Sequence, residues 1–415
     1  MTGRIHLAIV GGGLAGITMA IYLQKFPHLS VDVFESAPEF SEQGLGIGLS
    51  DLALRAFDEI IPSVAEFLKS KAGAVAIGAS RVGSGSGVGT VVADLEGDTG
   101  LAMNRASMLK ALLELLPSEI LHAGKKLLAL EQTDSALQLS FQDGVTLSFD
   151  AVIGADGIFS SVRKHVLECY PGDHMASPAG WWDSRHAVPV EKAKAMLGEE
   201  SLDIDREYAW AGEDAFMMHA PVENGTMIQC IISAVERDHN LARKRPLTRE
   251  VLEEIFGAGW LANPVTNGMV ELMLEQENPR EYSMWDHKST PAYARGRACI
   301  VGDAAHTTTP WQGAGAGLAI EDALVLGHLL SNVSSPQELE DAFKAFDKVR
   351  RPRCQAVIDS GRATGRLFCG QNPDVGLSAE KMGNALGPLF AHLDTLSLDS
   401  HKEAALNNLK AIQAS

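Results

Sequence analysis

Two glycine-marked segments almost three hundred residues apart carry the residue types that chemistry on a bound nucleotide needs. The first, Gly11-Gly12-Gly13-Leu14-Ala15-Gly16, follows the apolar run Ile5 to Val10, read as a buried strand, and precedes Ile17 to Phe26, read as a helix. That is the strand, turn and helix setting of a Gly-x-Gly-x-x-Gly phosphate-binding turn. Gly11 permits the tight turn, Gly13 lets the backbone approach a pyrophosphate, and Gly16 lets the helix pack on its strand. Amides at the helix N-terminus then face the phosphate charge. The next strand, Val31-Asp32-Val33-Phe34, ends in Glu35, about 20 residues beyond the glycines, where a ribose hydroxyl needs an acceptor and a 2′-phosphate would be repelled. A glycine-rich turn alone also fits a plain βα connection. With strand, helix and acid in register the segment reads as a dinucleotide site, and it does not separate FAD from NAD.

The second segment is Gly302-Asp303 leading into Pro310-Trp311-Gln312-Gly313-Ala314-Gly315-Ala316-Gly317. Taken with Ala151-Val152-Ile153-Gly154-Ala155-Asp156-Gly157 through Arg163 and with Ala298 through His306, it resembles the class A flavoprotein monooxygenases, the single-component aromatic hydroxylases. The stretch Trp181 to Arg185 and the long Gly302 to Asp322 segment are similar in particular to the salicylate hydroxylase branch, including its fungal members. The resemblance runs from about residue 5 to about 365, with its three motifs in the family's order. It implies an α/β fold: a Rossmann-like FAD-binding domain of the p-hydroxybenzoate hydroxylase type, an inserted mixed β-sheet substrate domain, and C-terminal helices.

By the same resemblance, Asp303 bonds a ribityl hydroxyl while Gly302 lets the flavin chain pass close to the backbone. Amides of Gly313, Ala314 and Gly315 meet the anionic reduced isoalloxazine at a helix N-terminus, and Pro310, which opens that run, belongs to the catalytic centre. Many relatives carry glutamine where this chain has Ala314, a change that a backbone contact tolerates. Arg105, just before a helix, is an FAD contact or, on its residues alone, a surface ion-pair partner. Asp156-Gly157 is expected between the pyrophosphate and the route of the nicotinamide; the plain alternative is an Asp-Gly turn with Arg163 solvated. His306 reads as structural.

Substrate residues are sought in the hairpin Ala215 to Val222 and Thr226 to Ala234, which turns at Glu223-Asn224-Gly225. His219 could accept a phenolic proton, its ordinary pKa of about 6.5 lying near neutrality, or it could be a strand histidine satisfied by a neighbour. Gln229 lies on the partner strand. Arg185 or Arg206 could pair with a carboxylate ortho to a phenol, Tyr208 precedes the hairpin, and Trp311 could wall a pocket or fill core.

The resemblance implies an FAD-dependent monooxygenase that takes NADH or NADPH as a transient co-substrate and O2 as oxidant. A flavin C4a-hydroperoxide then hydroxylates an electron-rich aromatic, a phenol or salicylate-like ring. No second Gly-x-Gly-x-x-Gly with strand and helix marks a separate nicotinamide domain. Decarboxylative hydroxylation, dearomatisation or epoxidation of a secondary metabolite are alternatives, and a non-catalytic FAD-binding protein is one of another class. The Trp-x-Trp-x-Ile-Pro motif of flavin halogenases is absent, since Trp181-Trp182-Asp183-Ser184 has the wrong spacing. No Gly-x-Ser-x-Gly elbow or metal-ligand cluster appears.

At 415 residues with 46% hydrophobic content the chain is long enough for two packed units. We divide it into a discontinuous FAD-binding domain (1–73, 94–172 and 288–370), a substrate-binding domain (74–93 and 173–287) and a helical tail (371–415). A net charge of −18 works against nucleic acid and anionic membranes. The basic run Lys348, Arg350, Arg351 and Arg353 reads as a solvated helix end. Five scattered cysteines suggest neither disulfides nor zinc. With no signal peptide and no apolar stretch of about 20 residues, a cytoplasmic protein is expected, possible as a homodimer. The glycine/serine loop Gly83 to Gly89 reads as a hairpin tip, and Leu127 to Phe149 as a hairpin turned at Asp143-Gly144.

Overall fold

The apolar run Ile5–Val10 forms a strand at the heart of a six-stranded sheet, in the order Ala294–Arg295, Ala298–Ile300, Ala151–Gly154, Ile5–Val10, Leu29–Phe34, Leu121–His122. Ile5–Val10 runs parallel to both Leu29–Phe34 and Ala151–Gly154, and Ala151–Gly154 runs parallel to Ala298–Ile300. In register, Val10 pairs with Gly154 and Gly154 with Ile300. The three motifs, so distant in sequence, therefore leave the carboxyl ends of three adjacent parallel strands, the edge where open α/β sheets bind ligands. The structure is a computed structural model describing residues 4–41, 46–76, 79–82, 90–93, 100–133, 136–202, 207–237 and 242–414. The loop Gly83 to Gly89 lies outside them.

An eight-stranded mixed sheet stands beside the first, in the order Lys244–Pro246, Arg280–Asp286, Ser177–Pro189, Met227–Val235, Ala215–Val222, Tyr208–Gly212, Ala79–Val82, Val91–Ala93. Its central hairpin turns at Glu223, Asn224 and Gly225, whose φ values are 52°, 55° and 78°; an Asn-Gly pair supplies that left-handed run at low cost. Ala79–Val82 joins parallel to Tyr208–Gly212. A small sheet is made by Gly46–Ser50, Gly100–Asn104 and Val75–Ala76, with Gly46 close to Gln229 of the large sheet.

Helices Val190–Leu197, Arg249–Leu261 and Pro264–Leu274 cover one face of the large sheet, burying Trp182, Met217, Ile228, Cys230, Phe256 and Met269 in one cluster. The other face is left for the cleft described below. Four helices complete the chain: Gly315–Leu330, Leu339–Phe368, Ala379–Asp394 and Leu398–Gln413.

Two local expectations change. Leu127 to Phe149 is a three-stranded meander, Leu127–Gln132, Leu137–Phe141 and Thr146–Phe149. A reversal closed by Thr133 N and Oγ1 on Ala136 O, both at 2.9 Å, precedes the turn at Asp143-Gly144. The basic run is not a solvated helix end. It lies inside Leu339–Phe368, where Arg350 is fully buried against Glu321 and Asp322 and Arg353 is bound to Glu321. Among the described residues no helix is long and apolar enough to cross a membrane.

Candidate active site

A cleft of about 1100 Å³ runs from the first glycine turn to the free face of the large sheet. At its near end Gly11 has φ 112°, and a Cβ there would fall 2.2 Å from Ala155 O; one on Gly16 would fall 2.0 Å from Gly11 O. The turn thus closes only without side chains. Gly13 is the cap of helix Leu14–Leu23 and brings no capping side chain, and the first turn holds no acid. Glu35 sits beside it, Oε2 accepting from Gly12 N at 2.8 Å and Oε1 from Ala37 N at 2.7 Å. Arg105 opens the helix Arg105–Leu113, which Asn104 caps, and lines the cleft.

The third motif forms the middle. Asp303 lines the cleft just after Gly302, whose φ of 57° suits glycine. The short turn Pro310–Gln312 ends in Gly313 at φ 61°, and Ala314 begins helix Gly315–Leu330, again without a side-chain cap. Both of these helix N-termini lack a capping side chain and turn positive potential toward an anion in the cleft. The cleft also holds Glu35, Asp303 and Arg105 along the path between them. This donor set fits an extended FAD.

Asp156 lines the cleft, but its carboxylate serves the helix Ser161–Leu167: it accepts from Ser160 Oγ, from Ser161 N at 2.7 Å and from Val162 N at 3.2 Å. Burial raises its pKa in spite of those bonds. Arg163 is fully buried, not solvated, with Nη1 donating to Ala304 O at 2.9 Å and Ala305 O at 3.0 Å and Nη2 to His174 O at 2.7 Å and Thr290 Oγ1 at 3.0 Å.

Behind the third motif Asp322 accepts from Gly302 N at 2.9 Å, from His306 Nε2 at 2.6 Å and from Arg350 Nε at 2.8 Å. Burial works against its charge, yet His306 and Arg350 hold its pKa down at about 2. His306 shifts the other way. Burial would lower its pKa, but the Cys354 sulfur and the Asp322 carboxylate beside it raise it well above the usual value. The Cys354 sulfur lies within 4.8 Å of the His306 and Asp322 ligand atoms. Asp322 is already engaged by a guanidinium and an imidazole, so the trio reads as an ion-pair anchor.

At the far end the sheet's alternation decides which side chains face the cleft. Phe216, Met218, Ala220 and Val222 of Ala215–Val222 line the cleft, with Gln229, Ile231 and Ser233 of Met227–Val235 and Asp183 and Arg185 of Ser177–Pro189. Arg185 bonds Asp183 through Nε at 2.9 Å and Nη2 at 2.8 Å. Trp311 packs edge-on against Trp181 and Phe216, with ring centroids 5.7 and 5.6 Å apart. His219 and Tyr208 do not line the cleft. They pair across strands, rings 5.3 Å apart, on the opposite face, where burial lowers the His219 pKa to about 4. Arg206 lies outside the described residues.

Three contributors escape sequence reasoning. Glu207 lines the cleft, and burial raises its pKa to about 7. Asp183 holds Arg185, a partnership signalled only by the Asp-x-Arg spacing on one strand face. The tail helix Ala379–Asp394 walls the cleft through Gly383, Leu386, Phe390 and Leu393; Gln312 Nε2 ties the third motif to it through Leu389 O at 3.0 Å.

Known proteins similar to this chain bind the same class of cofactor. A family model described as "FAD binding domain" matches residues 4–361. The chain is 33% identical to the 6-methylsalicylate 1-monooxygenase atA of Aspergillus terreus, over 98% of this chain and 92% of that protein. It is 31% identical to a salicylate hydroxylase of Pseudomonas putida, over 95% and 93%. Among solved structures, a salicylate hydroxylase substrate complex superposes with a TM-score of 0.84 at 24% identity, covering 98% of each chain. Klebsiella pneumoniae HpxO with FAD and uric acid gives 0.75 at 20% identity, again over 98% of each.

Proposed function

Because this chain belongs to the FAD binding domain family, as an FAD-dependent monooxygenase of the salicylate hydroxylase type, we propose that it uses NAD(P)H and O2 to hydroxylate an electron-rich aromatic, a phenol or salicylate-like ring. The observation that carries the reading is the single cleft joining two uncapped helix N-termini to a sheet face that mixes apolar and polar side chains. A salicylate-like acid is favoured over other aromatics by the names of the relatives from Aspergillus terreus and Pseudomonas putida.

FAD, when bound, supplies the redox chemistry: it accepts hydride equivalents from the nicotinamide and activates dioxygen. The chain's part is to bind, orient and desolvate. Amides at Gly13 and Ala314 hold the cofactor's anionic parts, Glu35 and Asp303 accept from its hydroxyls, and Arg105 adds positive charge. Met218, Ile231 and Phe216 keep water from the reacting ring, while Arg185, Gln229 and Ser233 offer polar contacts to its substituents. In this division residues 1–73, 94–172 and 288–370 hold the cofactor, 74–93 and 173–287 roof the substrate, and the tail closes the side.

A mass-spectrometric screen tests the reading: purified protein with FAD, air, NADH or NADPH, and phenols, salicylates, anthranilates and indoles. Gain of one oxygen supports hydroxylation, and oxygen gain with loss of the carboxylate marks the decarboxylating variant. Bound FAD with no oxygenated product from any of these compounds would overturn it in favour of a non-catalytic flavoprotein.

A further inference from the structure

The cleft face of the large sheet presents a short polar row close to the third motif. Tyr208 pairs with His219, and Ala220 with Gln229. Strand alternation therefore places Glu207, one residue before Tyr208, on the side of Ala220 and Gln229, and all three line the cleft. A Cβ built on Gly46 would fall 2.8 Å from Gln229 Nε2, and one on Gly313 would fall 4.0 Å from Gly48 Cα. Gly46 and Gly48 stand two residues apart on one strand, about 6.6 Å at the usual rise. One short strand, Gly46–Ser50, thus touches both the row, through Gly46, and the loop at Gly313, through Gly48. Gln229 Oε1 is buried with no hydrogen-bond partner among the described residues; a buried polar atom without a partner is costly unless a ligand supplies one.

We infer that Glu207 accepts the proton of the substrate's phenolic hydroxyl, while the amide of Gln229 holds that hydroxyl in place. The phenol O–H bond breaks, the carboxylate gains the proton as a new O–H, and the freed electron pair enriches the ring carbon that takes oxygen. The inference rests on the hydroxylation reading above. His219, the residue that strand position first suggested, faces away from the cleft.

The electrostatic setting agrees. Burial alone raises the Glu207 pKa to about 7, so the group is poised at neutral pH and is the charged base above it. On the sheet face at this end of the cleft the charged groups are Asp183 and Arg185, which neutralise each other on Ser177–Pro189, and the rest of the lining carries Arg105, Lys125 and Lys126 with Glu35, Asp156, Asp303, Glu321 and Asp394. On the neighbouring strand Ala215–Val222 the titratable side chain is His219, on the reverse face.

The test compares wild type, Glu207→Gln and Glu207→Asp as FAD-loaded enzymes. It uses salicylate and whichever phenols the wild type oxygenates, reading product formed per nicotinamide oxidised from pH 5.5 to 9, together with the dissociation constant of each phenol by equilibrium dialysis. Wild-type hydroxylation should rise with pH through about 7. Glu207→Gln should lose that rise and about 10²-fold in hydroxylation rate, with nicotinamide oxidised without product, and Glu207→Asp should recover part of both. A glutamine variant that binds FAD and hydroxylates at the wild-type rate with the wild-type pH profile overturns the proton-acceptor role and leaves the monooxygenase reading standing. A wild type that oxygenates nothing overturns both.

Discussion

Arg163 reaches from the second motif to the third: its Nη1 donates to the carbonyl oxygen of Ala304 at 2.9 Å, in the short helix Asp303–His306 that follows Gly302. One fully buried guanidinium thereby fixes two segments of the cofactor cleft to each other. Desolvation lowers its pKa to about 10, still charged at neutral pH. Replacement by Met would strand the carbonyls of Ala304 and His174, at a cost of about 3 kcal/mol. The expected result is a lower urea midpoint together with reduced flavin content. An Arg163→Met protein with wild-type stability and full flavin content would contradict this.

Asp183 holds Arg185 in an ion pair facing the substrate end of the cleft, which leaves the arginine less positive than its type implies. Asp183→Asn should release it, tightening salicylate binding by about tenfold, or about 1.4 kcal/mol, with little change for an uncharged phenol. Equilibrium dialysis with the two ligands decides the matter, since equal tightening of both would point to altered packing instead.

His219 gives a prediction of the opposite kind. Its Nε2 is buried without a hydrogen-bond partner among the described residues, and its ring stacks on Tyr208 away from the cleft. His219→Phe should leave the pH profile of hydroxylation as it is. The effect belongs to stability. A histidine whose folded pKa is depressed to about 4 contributes fully above its unfolded value of about 6.5 and loses that contribution as pH falls toward 4, by at most about 3 kcal/mol. Urea unfolding at pH 7 and pH 4.5 should show a shallower acid loss in the variant.

His306 should act at the other end of the scale. Its folded pKa is raised, so its contribution is complete below about 6.5 and disappears as pH rises through the folded value. Asp322, held down at about 2, contributes above its unfolded value of about 3.9 and fails only as pH drops toward 2. Chemical unfolding from pH 6 to 10 should therefore show wild type losing stability relative to His306→Asn; parallel curves would rule out a charged imidazole.

The glycine turns and the acid after the second strand are legible in sequence because backbone geometry demands those residue types at those spacings. Face assignment in the hairpin is not. In Ala215–Val222 every residue except Met218 is buried, so alternation carries no polarity to say which side meets the cleft, and His219 falls on the side packed by helices. Glu207 reads as one more acid in a charged stretch; only the sheet's register turns it inward. Arg163 and Arg350 look like ordinary surface cations, because their partners lie as far as 142 residues away in the chain for the first and up to 51 for the second. The tail helix gives no motif at all, since what it contributes is a wall.

That wall has a consequence for how the cleft can open. Leu386, Phe390 and Leu393 close one side of it, whereas the strands that carry the three motifs are paired to one another without the helix Ala379–Asp394. The helix can therefore lift away while those strands stay assembled, and its amides should exchange with solvent deuterium faster than those of Ile5–Val10.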